Sequence, residues 1–162
     1  EYIQMLGLQN GNRVYKWVRR AYITGHESLD KHKAFISAAN GASGTLTSDG
    51  AVRMISTPLT GAPGVGATQT FLTVGSFDTE GEAAAALKYI RSKFARALLG
   101  VLKVTQHNTS EKWKYVPLQN FTPTSDIDWE KSIPEIDRQL YKKYGLDETE
   151  IAFIESHVKE ME

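Results

Sequence analysis

The chain has 162 residues, 41% hydrophobic and 23% charged, which suits one soluble domain or one domain with a small helical appendage. Nineteen Lys and Arg balance nineteen Asp and Glu, and cysteine is absent, so a disulfide framework, a cysteine-ligated zinc and a thiol nucleophile are excluded, in keeping with a reducing cytoplasm. No apolar run approaches the roughly 18 residues of a membrane span. The opening Glu1-Tyr2-Ile3 carries neither an initiator methionine nor a basic-then-apolar leader, and it reads as the start of an excised segment.

Taken in chain order, Tyr2–Leu8 and Arg13–Val18 read as two short strands around Asn10-Gly11, a pair that supplies the positive φ of a tight hairpin. Lys33–Ala39 reads as another strand. The run Asn40–Thr45 after it is too rich in glycine and small polar residues for regular structure. Val52–Ser56 suits a short strand ending near Pro58, and Gly61–Gly66 a second loop. Thr68–Gly75 alternates as a strand does.

Asp78 or Thr79 then opens a helix through Lys103, with Glu80 and Glu82 suited to its N-terminus. On the helical wheel Leu87, Ile90, Phe94, Ala97, Leu98 and Val101 share one stripe, opposite Lys88, Ser92, Lys93, Arg96 and Lys103. One long amphipathic helix with a cationic outer face is expected. Arg91 borders the apolar stripe and reads as structural. Trp113–Pro117 alternates as a short strand, and Thr122–Asp128 is a linker. Two short helices follow, Pro134–Tyr144 with Gly145 as its stop and Asp147–Met161 opened by the box Asp147-x-x-Glu150. The fold class is α+β: a small mixed or antiparallel sheet on one long amphipathic helix, divided into a domain at 1–121 and a linker with helical appendage at 122–162.

Neutral overall, the chain segregates its charges. Between residues 88 and 114 stand seven bases against Glu111 alone, and from Asp126 onward eleven acids against five bases. Such a basic middle can offer phosphates a positive face while the whole stays neutral. Three groups of candidate DNA contacts follow. Arg13, Lys16, Arg19 and Arg20, interleaved with Tyr15 and Trp17, suit a groove-facing ribbon, and equally an edge strand guarded by charge. Asn40, Ser43 and Arg53 lie in or beside long loops of the kind that bind ligands. Arg96, Lys103, Gln106, Asn108, Lys112 and Lys114 belong to the basic middle, where Gln and Asn suit adenine edges, although Gln106–Thr109 also reads as a plain helix-ending loop.

Catalytic signatures are missing. No two of the five prolines adjoin, which removes the Asn/Asp-Pro-Pro-aromatic loop of adenine methylation, and no Glu-x-Lys or Asp-x-Lys pair marks a nuclease core. Gly61–Gly66 lacks the lysine-serine ending of a phosphate loop. The histidines fit no metal spacing, and Ser76, Asp78 and His107 lack a nucleophile elbow.

The runs Thr70–Ala83, Lys88–Arg96, Thr105–Thr109 and Tyr115–Phe121, with Gln139–Leu146 and Glu150–Ser156 near the end, resemble the C-terminal target-recognition region of bacterial adenine-specific restriction-modification methyltransferases, including type II enzymes that fuse methylation and cleavage. The resemblance covers residues 68–121 and 139–162, is weaker over 33–67 and does not reach the first hairpin. Lys93-Phe-Ala-Arg96 departs from the aromatic-rich version associated with the family. What the resemblance implies is a non-catalytic domain that reads double-stranded DNA. It faces a catalytic domain of the same polypeptide that carries S-adenosylmethionine, and Mg if an endonuclease is fused. No cofactor is expected in this segment. An alternative is a helical interaction module that joins subunits or domains of such an enzyme.

Overall fold

The computed structural model describes residues 1–39, 46, 50–102 and 109–162. Of the candidate contacts, Asn40, Ser43, Lys103, Gln106 and Asn108 lie outside the described residues.

Strands β1 (Tyr2–Gln9) and β2 (Asn12–Arg19) form the expected hairpin, paired from Tyr2 opposite Arg19 to Gln9 opposite Asn12. Asn10 and Gly11 hold φ of 52° and 77°, the pair of positive values a two-residue turn of this hand requires. The other strands are β3 (His32–Ser37), β4 (Leu59–Gly61), β5 (Val65–Ala67) and β6 (Phe71–Phe77). They make two three-stranded sheets, β2-β1-β5 and β4-β3-β6, in which only the β1–β5 pairing is parallel. Among the described residues the fold is α+β with four α-helices: α1 (Glu80–Arg91), α2 (Lys93–Leu102), α3 (Ile133–Lys143) and α4 (Glu148–His157).

Buried on both sides, β3 divides the molecule. On one side Phe35 meets Leu6 of β1 and Phe71 of β6, so the hairpin sheet lies over the central sheet through a small apolar cluster. On the other, Ala34 and Ile36 join the main core with Tyr89, Ile90, Phe94 and Leu99. That core also takes in Ile127, Trp129, Ile136, Leu140, Ile154, Val158 and Met161, so the segment after residue 121 shares the core of the rest. Val52 bridges Val158 in parallel, tying the middle of the chain to its last residues.

The expected single helix is two. At Ser92 the backbone turns extended, with φ −60° and ψ 148°, and α2 begins afresh at Lys93. Two side chains secure the break. The Ser92 hydroxyl accepts the Ala95 N–H at 3.1 Å, and the Asp137 carboxylate of α3 accepts the N–H groups of Lys93 and Phe94 at 3.1 and 2.9 Å. The break shifts the helical phase, so the wheel drawn for a continuous helix keeps Phe94, Ala97 and Leu98 on the core but misplaces two residues beyond the break. Arg96, assigned to the outer face, is wholly buried, and Val101, assigned to the core, is exposed.

Other expectations differ in detail. Val52 forms an isolated bridge in place of a strand, and the Gly61–Gly66 loop carries the end of β4 and the start of β5. Residues 110–113 make a 3₁₀ turn where a strand over 113–117 is predicted. Helices α3 and α4 stand where capping chemistry puts them, each opened by a reciprocal cap, Ser132 with Glu135 and Asp147 with Glu150.

Candidate nucleic-acid interface

The basic residues of the helical segment are consumed inside the molecule. Lys88 Nζ donates to the carbonyls of Trp129, Glu130 and Lys131 at 2.8–3.2 Å. Lys93 pairs with Glu155 of α4 at 2.6 Å. Arg96 donates to the carbonyls of Arg91, Ser92, Arg53 and Lys159 at 2.6–3.3 Å, and burial lowers its pKa to about 10. Arg91 is half-buried and reaches the Pro58 carbonyl at 3.4 Å, while its Nε is buried and meets no partner among the described residues. The described part of the cationic helix face expected from sequence, Lys88, Lys93 and Arg96, is therefore engaged by the C-terminal segment and neighbouring carbonyls. Arg96 can reach no phosphate.

Asp137 completes this buried network. Loss of water raises its pKa to about 6, against the lowering effect of its two backbone N–H bonds and of nearby Arg96. Tyr141 donates to Glu155 at 2.8 Å, so Glu155 joins α2, α3 and α4 through Lys93 and Tyr141. Sequence reasoning overlooked Asp137. A signal for it exists: it precedes Leu140 and Tyr141 by three and four residues, a spacing that puts all three on one helix face. Lys33, also overlooked, is buried beneath the hairpin sheet and donates to the Ser28 and Leu29 carbonyls at 2.6 and 3.0 Å; desolvation lowers its pKa to about 8.

The remaining described candidates fall into separate places. Arg53 donates to Thr57 Oγ1 at 2.7 Å, within the helical layer beside Arg96. Lys112 and Lys114 sit on or just after the 3₁₀ turn, with Lys114 exposed 5.1 Å from the centre of the Tyr115 ring. Arg13, Lys16, Arg19 and Arg20 gather on the hairpin, on the opposite side of the central sheet from the helices.

Residues 1–26 contain these four bases against Glu1 alone. Arg20 is neutralised, because it grips Asp30 through two bonds of 2.8 and 2.5 Å, and the contact holds the Asp30 carboxyl below its ordinary range. The other three form no ion pair with any described residue. Arg13 donates to Ser37 Oγ at 3.3 Å and lies 5.8 Å from the centre of the Phe71 ring. Arg19 donates to the Tyr2 hydroxyl at 3.3 Å, and Lys16 is exposed.

The hairpin register separates two faces. Residues opposite each other across the strands share a face, so Tyr2, Gln4, Leu6, Leu8, Arg13, Tyr15, Trp17 and Arg19 stand on one, with Lys16 between Val14 and Val18 on the other. The central sheet covers the first face only in part. Leu6 is fully buried, but Trp17 is 65% exposed, Tyr2 57% and Tyr15 47%. Beside the Tyr2–Arg19 end opens a hollow of about 700 Å³, lined also by Arg20, Ile23 and Leu29.

No protein-family model, curated protein or solved structure matches the chain. Among the described residues no helix is long and apolar enough to cross a membrane, and no group of three or more His, Asp or Glu is placed to hold a metal ion.

Proposed function

We propose that this chain is a DNA-recognition domain of the restriction-modification kind. In this reading it has no chemistry of its own, and its contact surface is the β1–β2 hairpin in place of the central helix. The observation that carries the reading is electrostatic: Arg13, Lys16 and Arg19 stand on one hairpin without a carboxylate partner among the described residues, whereas the described bases of α1 and α2 are bound to carbonyls and to Glu155. Unneutralised cations on a two-stranded ribbon are what a phosphate backbone attracts, and such a ribbon is narrow enough to enter a major groove. The likeness of residues 68–121 and 139–162 to the recognition region of adenine-specific methyltransferases supports the enzyme context. In that context S-adenosylmethionine and any Mg belong to a catalytic domain elsewhere in the same polypeptide.

Fluorescence anisotropy with a labelled DNA duplex over a salt series tests this. Two to four phosphate contacts give a log–log slope of about −2 to −4, so raising salt from 50 to 200 mM weakens binding on the order of tenfold to a hundredfold. The double variant K16E/R19E weakens binding and flattens the slope, while Lys142→Glu, on the exposed side of α3, leaves both unchanged. Binding that ignores salt, or a K16E/R19E protein that binds as the parent does, refutes the assignment.

A further inference from the structure

The charges of the hairpin explain attraction to a polyanion, but they leave its rings unexplained. Tyr15 and Trp17 are two residues apart on one strand, so they project from the same face about 7 Å apart. Arg13 precedes them and Arg19 follows, giving the order cation, ring, ring, cation along β2. Across the sheet Gln4 stands opposite Trp17, and Tyr2 stands opposite Arg19 and accepts its Nε–H. Large rings on a surface are costly to leave in water, and β2 is an edge strand, so nothing within its own sheet covers its outer side. Charge selects the occupant. The surface is cationic and holds no carboxylate between Tyr2 and Arg19, which disfavours a cationic or neutral partner and suits a polyanion.

We infer that Tyr15 and Trp17 form a stacking platform for unpaired nucleobases, with the exposed Arg19 beside them as a phosphate contact, so that the hairpin takes a single-stranded nucleic acid more tightly than a duplex. This rests on the reading of the hairpin as a nucleic-acid surface and departs from its major-groove form, because the rings hold an unpaired strand in preference to a duplex. In a duplex the faces of the bases are already occupied by their neighbours, and a ring presented from outside finds only edges. An unpaired strand offers each base as a free π-face, and successive unstacked bases can meet successive rings of a strand. Sequence tolerance follows, because every base has such a face.

The test compares three labelled probes of one sequence by anisotropy: single-stranded DNA, single-stranded RNA and the DNA duplex. Both single strands, or whichever of them the surface reads, bind at least tenfold more tightly than the duplex, and titration quenches the emission of Trp17. Trp17→Ala lowers single-strand affinity by roughly 5- to 150-fold, the range for loss of one stacked base, without lowering the melting temperature; Trp17→Phe keeps most of the affinity. Tyr15→Ala repeats the loss on a smaller ring. If the duplex binds as tightly as the single strands and Trp17→Ala changes nothing, the stacking inference is overturned while the nucleic-acid function stands. If none of the three probes binds in a salt-dependent way, both are overturned.

Discussion

Arg96 is the residue on which the sequence and the structure disagree most sharply, and replacing it with alanine separates the two accounts. Its guanidinium makes five hydrogen bonds to four carbonyls, those of Arg91, Ser92, Arg53 and Lys159. The Ser92 carbonyl keeps the Arg96 N–H at 3.2 Å after truncation. The Arg91, Arg53 and Lys159 carbonyls lose the guanidinium, and Asp137 loses its nearest compensating charge. At about 1–1.5 kcal/mol for each carbonyl, the cost of Arg96→Ala comes to about 3–5 kcal/mol, the range found when one member of a buried charged pair is removed. A domain has only about 5–15 kcal/mol in total, so the variant stands near the edge of folding. For a chain of this size the melting temperature falls by roughly 6–20 °C, measured by circular dichroism, with a matching drop in the urea midpoint. A protein that melts within about 2 °C of the parent, yet binds nucleic acid more weakly, would show that Arg96 is a solvent-facing contact and that the carbonyl staple is wrong.

Two further outcomes follow from the same packing. Because Asp137 titrates near 6 when folded and near 4 when unfolded, its protonated form favours the folded state, a contribution fully present below about pH 4 and lost as pH rises through 6. Measured by urea unfolding at pH 5 and 7, the parent accordingly loses about 1.3 kcal/mol that Asp137→Asn does not lose, and an identical pH dependence in the two proteins refutes the assignment. Gly75 holds φ of 78° in β6, and a Cβ there would lie 2.1 Å from the Phe77 ring, so Gly75→Ala costs about 1–3 kcal/mol by the same assay; a neutral result would mean that the ring and the strand adjust freely.

Local chemistry made much of the fold legible. Asn10-Gly11 gives the hairpin and its register, and with the register the division of Tyr15, Trp17 and Arg19 from Lys16. The acid three residues after Asp147 marks α4, and Gly145, at φ 64°, marks the stop of α3. The break at Ser92 was not legible, because serine is tolerated within helices and the groups that secure the break are distant. Asp137 stands more than forty residues away and captures the first two N–H groups of α2 only once α3 has packed. Beyond residue 92 the wheel still places Phe94, Ala97 and Leu98 toward the core, but the outward placement of Arg96 and the inward placement of Val101 inherit that error. The same dependence on tertiary contact hid the 3₁₀ turn at 110–113, since alternation over five residues fits an edge strand whether or not a neighbour exists to pair with it.

The segregation of charge along the chain has a second meaning that only the folded molecule discloses. A basic stretch followed by an acidic one is complementary to itself before it is complementary to anything else, and at short range the acidic partner carried on the same chain has the advantage of concentration. Here Lys93 finds Glu155, and Lys88 finds the carbonyls of residues 129–131 just beyond Asp128. The charges that matter for a partner are those left over. The first 26 residues hold four bases and one acid, fewer bases than the seven against one in the middle. With Arg20 set aside by its pairing with Asp30, Arg13, Lys16 and Arg19 form no ion pair among the described residues, and Arg19 stands open to an external anion on the face that carries the exposed Trp17.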